Sequence, residues 1–268
     1  MKYNRQLSRY FLITSFLLLF GYFKGFNTSF DENLGFWGTP LGFMFLFSIV
    51  QFSIFAVASY FIQLNFYVTS LNKGNAEEKK IALTFDDGPD SEITLKLLEI
   101  LDKYNVKASF FIIGKKAEKH QEIVKQIVEK GHIVANHSYS HKNTFPLQTA
   151  KKIASDIEKC NTIIKNITGK KPKFFRPPFG VTNPMIAKAI NKTNMISVGW
   201  SYRTYDTVKS KEVILKKLKV KNGDVILFHD TNKNIAEICD IIIPELQSQG
   251  YEFVDIEKLF NVDAYAED

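Results

Sequence analysis

The sequence predicts an α/β protein with a parallel sheet, preceded by one or two N-terminal transmembrane segments. Three observations support this prediction. Short apolar runs alternate with amphipathic stretches from about residue 80 onward, two long uncharged runs come before residue 65, and a polar, glycine-containing stretch separates the two regions. We therefore expect a membrane anchor at residues 1–64, a linker at 65–79 and a globular domain at 80–268.

The first apolar run has 14 uncharged residues between Arg9 and Lys24. At about 1.5 Å per residue it is shorter than a hydrocarbon core of roughly 30 Å, unless Lys24 reaches toward the interface. A signal-peptide core would have a similar length, but no cleavage site of small residues follows this run.

The second run comprises 24 mostly apolar residues at 41–64, inside an uncharged stretch between Glu32 and Lys73. This length crosses a bilayer with some tilt, and aromatic residues crowd both ends of the run, as they do at membrane interfaces. A buried helix of a soluble domain is the alternative. We predict a protein of the cell membrane.

Positive charges near the two runs bear on orientation. Three Lys or Arg residues precede the first run, one lies between the runs, and three closely follow the second. If both runs span, the positive-inside rule places the downstream domain in the cytoplasm; if only the second spans, with the N-terminus inside, the domain lies outside. Because the first run is short, we expect one span and an extracytoplasmic domain.

The downstream region alternates strand and helix candidates. The strand candidates are residues 81–87, 108–113, 132–137, 173–177, 195–200, 224–229 and 252–256. The helix candidates are residues 91–104, 116–130, 147–168, 183–193, 209–220 and 235–249. This alternation implies a parallel sheet, closed into a barrel or doubly wound, whose active site forms at the carboxyl ends of the strands.

Composition argues against two classes of partner or site. The net charge of +7 over 268 residues includes no Lys/Arg run dense enough to indicate nucleic acid. The two cysteines, Cys160 and Cys239, lie 79 residues apart, which is the spacing of neither a metal knuckle nor a disulfide framework.

Two adjacent carboxylates end the first strand candidate. The stretch A-L-T-F-D-D-G-P runs an apolar strand into Asp86 and Asp87. Like charges side by side at the end of a buried strand need a cationic partner. His137, Arg176 and His229 end three other strand candidates, so we expect all five side chains to converge at one end of the sheet.

Two histidines indicate a metal site. The stretch H-S-Y-S-H places His137 and His141 four residues apart, which on a helical turn would put both imidazoles on one face. Two neutral imidazoles and one carboxylate, from Asp86 or Asp87, hold a divalent metal and leave coordination positions open. Zn²⁺ suits this set best, and Co²⁺, Fe²⁺ or Ni²⁺ tolerate it. Surface or capping histidines are the alternative.

The remaining aspartate would lie beside a water that the metal activates, where a general base is needed. Arg176 would hold this aspartate ionised and oriented, with a surface salt bridge as the alternative. His229 ends the apolar run V-I-L-F-H and can serve as a general acid; the alternative is a satisfied core histidine.

The stretch R-P-P-F-G predicts a rigid wall of the site. Pro178, with its neighbours Pro177 and Gly180, fixes a loop that can present the Phe179 N–H to an oxyanion. Phe179 and Trp200 could stack on a substrate or belong to the core. Base, metal, water and acid together describe metal-assisted hydrolysis of an amide or ester, with no side chain placed as a covalent nucleophile.

Four stretches resemble the polysaccharide deacetylase, or NodB-homology, family of carbohydrate esterases. T-F-D-D-G-P, H-S-Y-S-H, R-P-P-F-G and L-F-H occur in the family's order, and the resemblance covers roughly residues 80–260. It implies a distorted (β/α) barrel of about seven parallel strands, and removal of acetyl groups from N-acetylated sugars. The roles it implies are Asp86 as base, Asp87, His137 and His141 as metal ligands, Arg176 orienting the base, Phe179 lending its N–H to the oxyanion, Leu227 lining the acetyl pocket, and His229 as acid.

One motif departs from the resemblance. The family commonly has Asp-x-x-Asp-Trp, whose aspartate supports the acid histidine, whereas residues 203–207 read R-T-Y-D-T. Asp206 fits the second aspartate and would support His229. Arg203 and Thr207 replace the first aspartate and the tryptophan, so the substrate groove is expected to differ.

The leading hypothesis is a membrane-anchored, metal-dependent deacetylase of an N-acetylhexosamine-containing glycan of the cell envelope. A second hypothesis keeps the metal site but acts on a lipid-linked sugar or an O-acetyl ester. A third, from another class, is a non-catalytic glycan-binding module. The presence of base, ligands and acid argues against this third reading.

Overall fold

The computed structural model describes residues 40–267, together with Leu12, Ser15 and Phe16. The strands of this part are β1 Ser70–Leu71, β2 Lys80–Asp86, β3 Ser109–Ile112, β4 Ile133–Asn136, β5 Phe174–Phe175, β6 Ile196–Val198, β7 Tyr202–Arg203, β8 Val225–His229 and β9 Glu252–Phe253. The helices are α1 Pro40–Tyr60, α2 Ile93–Lys103, α3 Gly114–Lys119, α4 Gln121–Glu129, α5 Ala150–Thr168, α6 Pro184–Thr193, α7 Lys211–Lys217, α8 Ile235–Ser248 and α9 Ile256–Phe260.

The strands form one parallel sheet, which confirms the predicted α/β class. The order is β1-β6-β5-β4-β3-β2-β8-β7, with β9 paired to β2, and each of these pairs is parallel. The arrangement fits a distorted (β/α) barrel that is open between the edge strands β1 and β7. The seven strand candidates correspond to β2–β6, β8 and β9; the two-residue strands β1 and β7 were not predicted.

Both faces of the sheet are buried, as parallel sheets require. Leu83 and Phe85 of β2 belong to the largest core, which contains helix side chains, while Ala82 belongs to a separate core on the opposite face. Because side chains alternate along a strand, Thr84 and Asp86 share the face of Ala82. We call this the inner face.

Two predicted elements differ in detail. The helix predicted at 116–130 is divided into α3 and α4 at His120, whose φ of −125° and ψ of 48° are not helical. The predicted linker is partly structured, because β1 adds to the edge of the sheet beside β6 and Tyr67 and Val68 are buried. The division into anchor, linker and domain otherwise stays a prediction.

The second apolar run forms α1, which ends at Tyr60, followed by a 3₁₀ turn at Ile62–Leu64. Within the described part of the chain, no helix is both long enough and apolar enough to cross a membrane. The predicted transmembrane span at residues 41–64 is therefore not supported. The first apolar run lies outside the described residues, apart from Leu12, Ser15 and Phe16.

The chain after α1 packs on the sheet domain. Ser59 O accepts the Thr182 N–H at 2.9 Å. Gln63 Nε2 donates to Trp200 O at 3.1 Å. Ile62 is buried in the same small core as Trp200. The end of α1 and the turn that follows it are thus attached to the wall that carries Trp200.

Candidate active site

Asp86 and Asp87 leave β2 toward different partners. Asp86 ends the strand, is 3% exposed and lies in register with His229 of β8. Its Oδ1 is 2.6 Å from Arg176 Nη1. Asp87 has a positive φ of 75°, and its Oδ1 is 3.3 Å from His141 Nε2. Asp86 is therefore bound through Oδ1 to a guanidinium, with its Oδ2 3.8 Å from His137 Nε2, whereas Asp87 Oδ1 faces the imidazoles of both histidines.

Gly88 allows a buried aspartate to pack against this turn. A Cβ at Gly88 would lie 2.0 Å from Asp230 Oδ2, so the turn has no room for a larger residue. Asp230 accepts a hydrogen bond from Thr94 Oγ1 at 2.7 Å and donates its backbone N–H to Asp86 O at 3.2 Å. Burial raises the pKa of Asp230 to about 7. These contacts fix the backbone that carries both site aspartates.

The loop after β4 positions His137 and His141. The helical turn predicted here is wrong, because Ser138 and His141 have positive φ values of 69° and 43°. Asn136 Oδ1 accepts the Ser138 N–H at 2.7 Å, and Asp156 Oδ1 accepts the N–H of the following residue at 2.7 Å. Side-chain bonds to the backbone therefore replace helical bonds. The loop still brings the Nε2 atoms of the two histidines to 3.2 Å.

Asp87, His137 and His141 form a group whose ligand atoms lie within 4.8 Å of one another. Asp87 Oδ1 is buried and has no hydrogen-bond partner among the residues that the structure describes. His137 Nδ1 is 2.8 Å from Arg176 O; a carbonyl only accepts, so Nδ1 is the donor and Nε2 is the nitrogen that offers a lone pair in the neutral ring. A buried oxygen without a partner beside two imidazole nitrogens fits a divalent cation.

The protonation state of His141 also suits a ligand. Burial, together with the neighbouring His137, lowers the pKa of His141 to about 4. At neutral pH its imidazole is therefore uncharged, as metal binding requires.

Adding Zn²⁺ to the full-length chain is expected to raise its Tm. At a hundredfold excess over Kd, one site stabilises the fold by about 2.7 kcal/mol, which corresponds to a Tm rise of roughly 5–10 °C. His141→Ala is expected to remove most of this rise, because it deletes one of the three ligands. Differential scanning calorimetry measures it, with His120→Ala as the matched histidine control. An unchanged Zn²⁺ response in the His141 variant would contradict this assignment.

Arg176 is completely buried, and each of its three side-chain nitrogens donates at least one hydrogen bond. Its Nη1 donates to Asp86 Oδ1 and, at 2.9 Å, to Thr84 Oγ1. Its Nη2 and Nε donate to the carbonyls of Gly199 at 2.7 Å and Val198 at 3.3 Å. Burial lowers its pKa while Asp86 opposes the change, so the pair holds charge where neither partner alone would be stable. The predicted contact between Arg176 and an aspartate is present, and the aspartate is Asp86.

His229 is held by Asp206. Asp206 Oδ1 lies 2.8 Å from His229 Nδ1, and its Oδ2 accepts the His229 backbone N–H at 2.8 Å. Thr204 Oγ1 donates to the same carboxylate at 3.0 Å. Burial would lower the pKa of His229, but the hydrogen bond and charge of Asp206, with Asp86 and Asp87, raise it above its usual value of 6.5.

Asp206→Asn is expected to lower the pKa of His229 and so to move the alkaline limb of the kcat/KM profile to lower pH. If His229 is the proton donor, kcat at mildly alkaline pH falls by roughly 10–100-fold. The bond also stabilises the fold fully below a pH of about 6.5, and this contribution is lost as pH rises through the folded-state pKa. Rate profiles from pH 5 to 10, with Asp263→Asn as control, test this; an unmoved alkaline limb would refute the pairing.

The turn after Arg176 forms one side of the site. Phe179 has a positive φ of 62°, and the residue as a whole is 41% exposed. The ring centroid lies 4.9 Å from that of His141. Pro178, which precedes Phe179, is buried. Phe179 is thus a surface aromatic beside the metal-ligand group, not part of the core.

Trp200 and Leu227 lie below this turn. A Cβ at Gly180 would be 2.1 Å from Trp200 Cη2, so the indole packs directly under the turn. Trp200 and Leu227 are buried in one small core with Ile62. Leu227 precedes His229 by two residues on β8 and therefore shares its face of the strand.

The structure gathers the predicted residues around the carboxyl ends of β2, β4, β5 and β8, as expected for this fold class. The residues that hold these side chains in place were not predicted from the sequence. These residues are Thr84, Thr94, Asn136, Asp156, Thr204 and Asp230. The only sequence signal was their closeness to the motifs, as for Asp230 directly after His229.

The chain matches a polysaccharide deacetylase family model over residues 73–198. It is 37% identical over 194 residues to a peptidoglycan-N-acetylglucosamine deacetylase of Bacillus cereus, covering 70% of each chain. It is 36% identical to the peptidoglycan-N-acetylglucosamine deacetylase PgdA of Listeria monocytogenes, of which it spans only 39%.

Two solved structures share the fold. A peptidoglycan N-acetylglucosamine deacetylase in complex with a substituted N-hydroxybenzamide superposes with a TM-score of 0.70 at 34% identity, covering 74% of this chain and 95% of that one. A family 4 acetyl xylan esterase from Clostridium thermocellum, in complex with a cobalt ion, has a TM-score of 0.63 at 36% identity, covering 68% and 90%.

Proposed function

Because the chain belongs to the polysaccharide deacetylase family, we propose that it removes acetyl groups from N-acetylated sugars of a cell-envelope polysaccharide. The observation that carries this proposal is the separation of the two adjacent carboxylates. Asp86 Oδ1 is 2.6 Å from the Arg176 guanidinium, whereas Asp87 Oδ1 faces the imidazoles of His141 and His137 at 3.3 and 3.6 Å. Asp86 Oδ2, which lies 3.8 Å from His137 Nε2, is therefore the oxygen left to accept a proton, while Asp87 is placed to bind a cation.

In this proposal Asp87, His137 and His141 hold the divalent metal, with Zn²⁺ the best fit to the donor set and Co²⁺, Fe²⁺ or Ni²⁺ tolerated. A metal bound there supplies Lewis-acid polarisation of the acetyl carbonyl and makes water more acidic. The three ligand atoms offer one carboxylate and two neutral nitrogens, so the loaded site keeps a net positive charge that favours a developing oxyanion.

The proton transfers belong to the chain's own residues. Asp86 accepts a proton from the attacking water, and Arg176 fixes its orientation through the hydrogen bond to Oδ1. His229, protonated through its contact with Asp206, then donates a proton to the leaving amine. Because His229 lies in register with Asp86 on the adjacent strand, base and acid are held on one rigid sheet.

The remaining residues shape the place for the acetyl group. Leu227 and Trp200 offer apolar surface for the methyl group, and Pro178 holds the turn in which the Phe179 N–H would donate to the oxyanion. The exposed Phe179 ring can stack on a sugar face. The substrate is an N-acetylhexosamine-containing glycan, and the relatives named as peptidoglycan deacetylases support a cell-wall polymer.

The test is acetate release by the full-length chain from a panel of glycans. The panel contains peptidoglycan, peptidoglycan oligosaccharides and chitooligosaccharides, each with and without a chelator. We expect acetate from at least one glycan, its loss with chelator, and its recovery with added Zn²⁺ or Co²⁺. No acetate from any glycan under any metal would overturn the proposal, and sugar binding without release would favour a non-catalytic module.

A second candidate reaction is hydrolysis of O-acetyl esters. The structural likeness to a family 4 acetyl xylan esterase favours it, because the same metal, base and acid would serve an ester. Acetylated xylan and an N-acetylated glycan, assayed in parallel with the same protein, distinguish the two. A kcat/KM for the ester at least tenfold above that for the amide in native glycans would make ester hydrolysis the preferred assignment. A lipid-linked N-acetylated sugar belongs in the same panel.

We further propose that the catalytic domain faces the outside of the cell, where envelope polysaccharides lie. A reporter fused after Asp268 keeps the whole chain intact. We expect an alkaline phosphatase fusion to be active and a green fluorescent protein fusion not to fluoresce. The opposite pattern would exclude a polymeric cell-wall substrate and favour a lipid-linked one.

A further inference from the structure

Arg203 lies on the same face of the sheet as the candidate acid and base. It ends β7 and pairs in register with Leu227 of β8. Leu227 in turn pairs with Thr84 of β2, two residues before the pair formed by His229 and Asp86. Side chains in register on neighbouring parallel strands share a face, so Arg203 belongs to the inner face, one strand beyond His229.

The Arg203 guanidinium lies near two aromatic rings and forms no ion pair within the described part of the chain. Its Cζ is 5.6 Å from the Trp200 ring centroid and 5.0 Å from that of Tyr205. Its Nε is buried with no hydrogen-bond partner in residues 40–267. The three carboxylates of the site face other partners: Asp86 faces Arg176, Asp87 faces His141, and Asp206 faces His229. A buried donor without an acceptor costs stability.

The surroundings of Arg203 add positive charge and an exposed ring. Lys209 Nζ lies 4.3 Å from the Tyr205 ring centroid, and Tyr205 is 43% exposed. Trp200, the other ring near Arg203, packs under Gly180 of the turn that carries Phe179. The cation is therefore next to the wall where the acetyl group is proposed to bind.

We infer that Arg203 is a specificity residue for an anionic sugar, a step that rests on the proposed function. The planar guanidinium offers paired donors that match a carboxylate, whereas a neutral sugar hydroxyl cannot balance its charge. The substrate class is a glycan with a carboxylate on the N-acetylated sugar or on the adjacent one, as in the lactyl ether of muramic acid. Tyr205 stacks on the sugar ring and Lys209 adds to the positive potential.

The test compares an N-acetylmuramic-acid-containing peptidoglycan tetrasaccharide with the same compound after amidation of its lactyl carboxylates. We expect the full-length chain to prefer the acid in kcat/KM by about 10–100-fold, the range that one charge-assisted bond pair supports. Arg203→Gln removes the preference by raising KM for the acid, with kcat and the amidated substrate changed less than about twofold. Arg203→Lys retains part of the preference, and Lys192→Gln, at the far end of α6, leaves it unchanged.

Equal kcat/KM values of the wild-type chain for the acid and the amidated substrate would overturn the inference. So would an Arg203→Gln variant whose kcat/KM falls equally for both substrates. If neither compound is deacetylated, calorimetric binding of the two compounds to the same proteins decides it. Preferential binding of the acid that Arg203→Gln abolishes would keep the inference while the proposed function fails. Release of acetate from neutral chitooligosaccharides, with no preference for the acid, would keep the function and reject the inference.

Discussion

Asp86→Asn is expected to lower kcat for acetate release by about a thousandfold, within the range that a positioned general base contributes. The amide can still accept a hydrogen bond from Arg176, which now donates to Asp86 Oδ1 at 2.6 Å, but it cannot take a proton from water. Metal binding should persist, because Asp86 lies outside the group formed by Asp87, His137 and His141. Steady-state acetate release and bound zinc by mass spectrometry measure the two effects.

The control for this variant is Asp263→Asn, which removes an exposed carboxylate that forms an ion pair with Lys173 at 3.3 Å. A variant at position 86 that binds zinc normally, unfolds at the wild-type temperature and keeps more than a tenth of the activity would remove Asp86 from the role of base. Loss of zinc together with activity would instead assign Asp86 to the metal.

Arg176→Met is expected to reduce the free energy of unfolding by roughly 3–5 kcal/mol, the cost of leaving a buried charge without its partner. Arg176 is completely buried, and its removal strands the Asp86 carboxylate and the carbonyls of Val198 and Gly199. Activity should fall as well, because Asp86 loses its orientation. Urea unfolding at pH 7 measures the stability, with the slope checked for two-state behaviour.

A double-mutant cycle separates charge from packing. With Asp86→Asn in place, the penalty of Arg176→Met should shrink, since no carboxylate is left uncompensated. Arg176→Lys keeps the charge but lacks the planar guanidinium that contacts Thr84 and Gly199 together. We therefore expect its free energy of unfolding to lie between those of the wild type and Arg176→Met. Additive penalties in the cycle would show that Arg176 and Asp86 do not act as a pair.

The sequence predicted the fold because strands and helices alternate with clear patterns. The same patterns placed Asp86, His137, Arg176 and His229 at strand ends, so their convergence followed from the geometry of parallel sheets. The two-residue strands β1 and β7 carry no such pattern. Tertiary contacts hold these two strands at the sheet edges, and local sequence propensity does not indicate such contacts.

The loop that carries His137 and His141 was not predictable from local sequence spacing. A spacing of four indicated a helical turn. The backbone between the two histidines is instead set by Asn136 and Asp156, whose side chains accept the N–H groups of Ser138 and Tyr139. Asp156 comes from α5, 15 residues after His141, so no short-range pattern contains it. The ligand set was predictable from residue types, whereas the loop that presents it depends on distant side chains.

The packing of the chain after α1 has a practical consequence for recombinant work. A fragment starting at residue 75 would lose Gln63, which donates to Trp200 O, and the whole of β1, leaving β6 as a bare edge that invites aggregation. Truncations for crystallisation or assay should therefore start before Ser59, whose carbonyl accepts the Thr182 N–H. Low solubility or low activity of a shorter fragment would therefore reflect the loss of these contacts and not a defect of the active site.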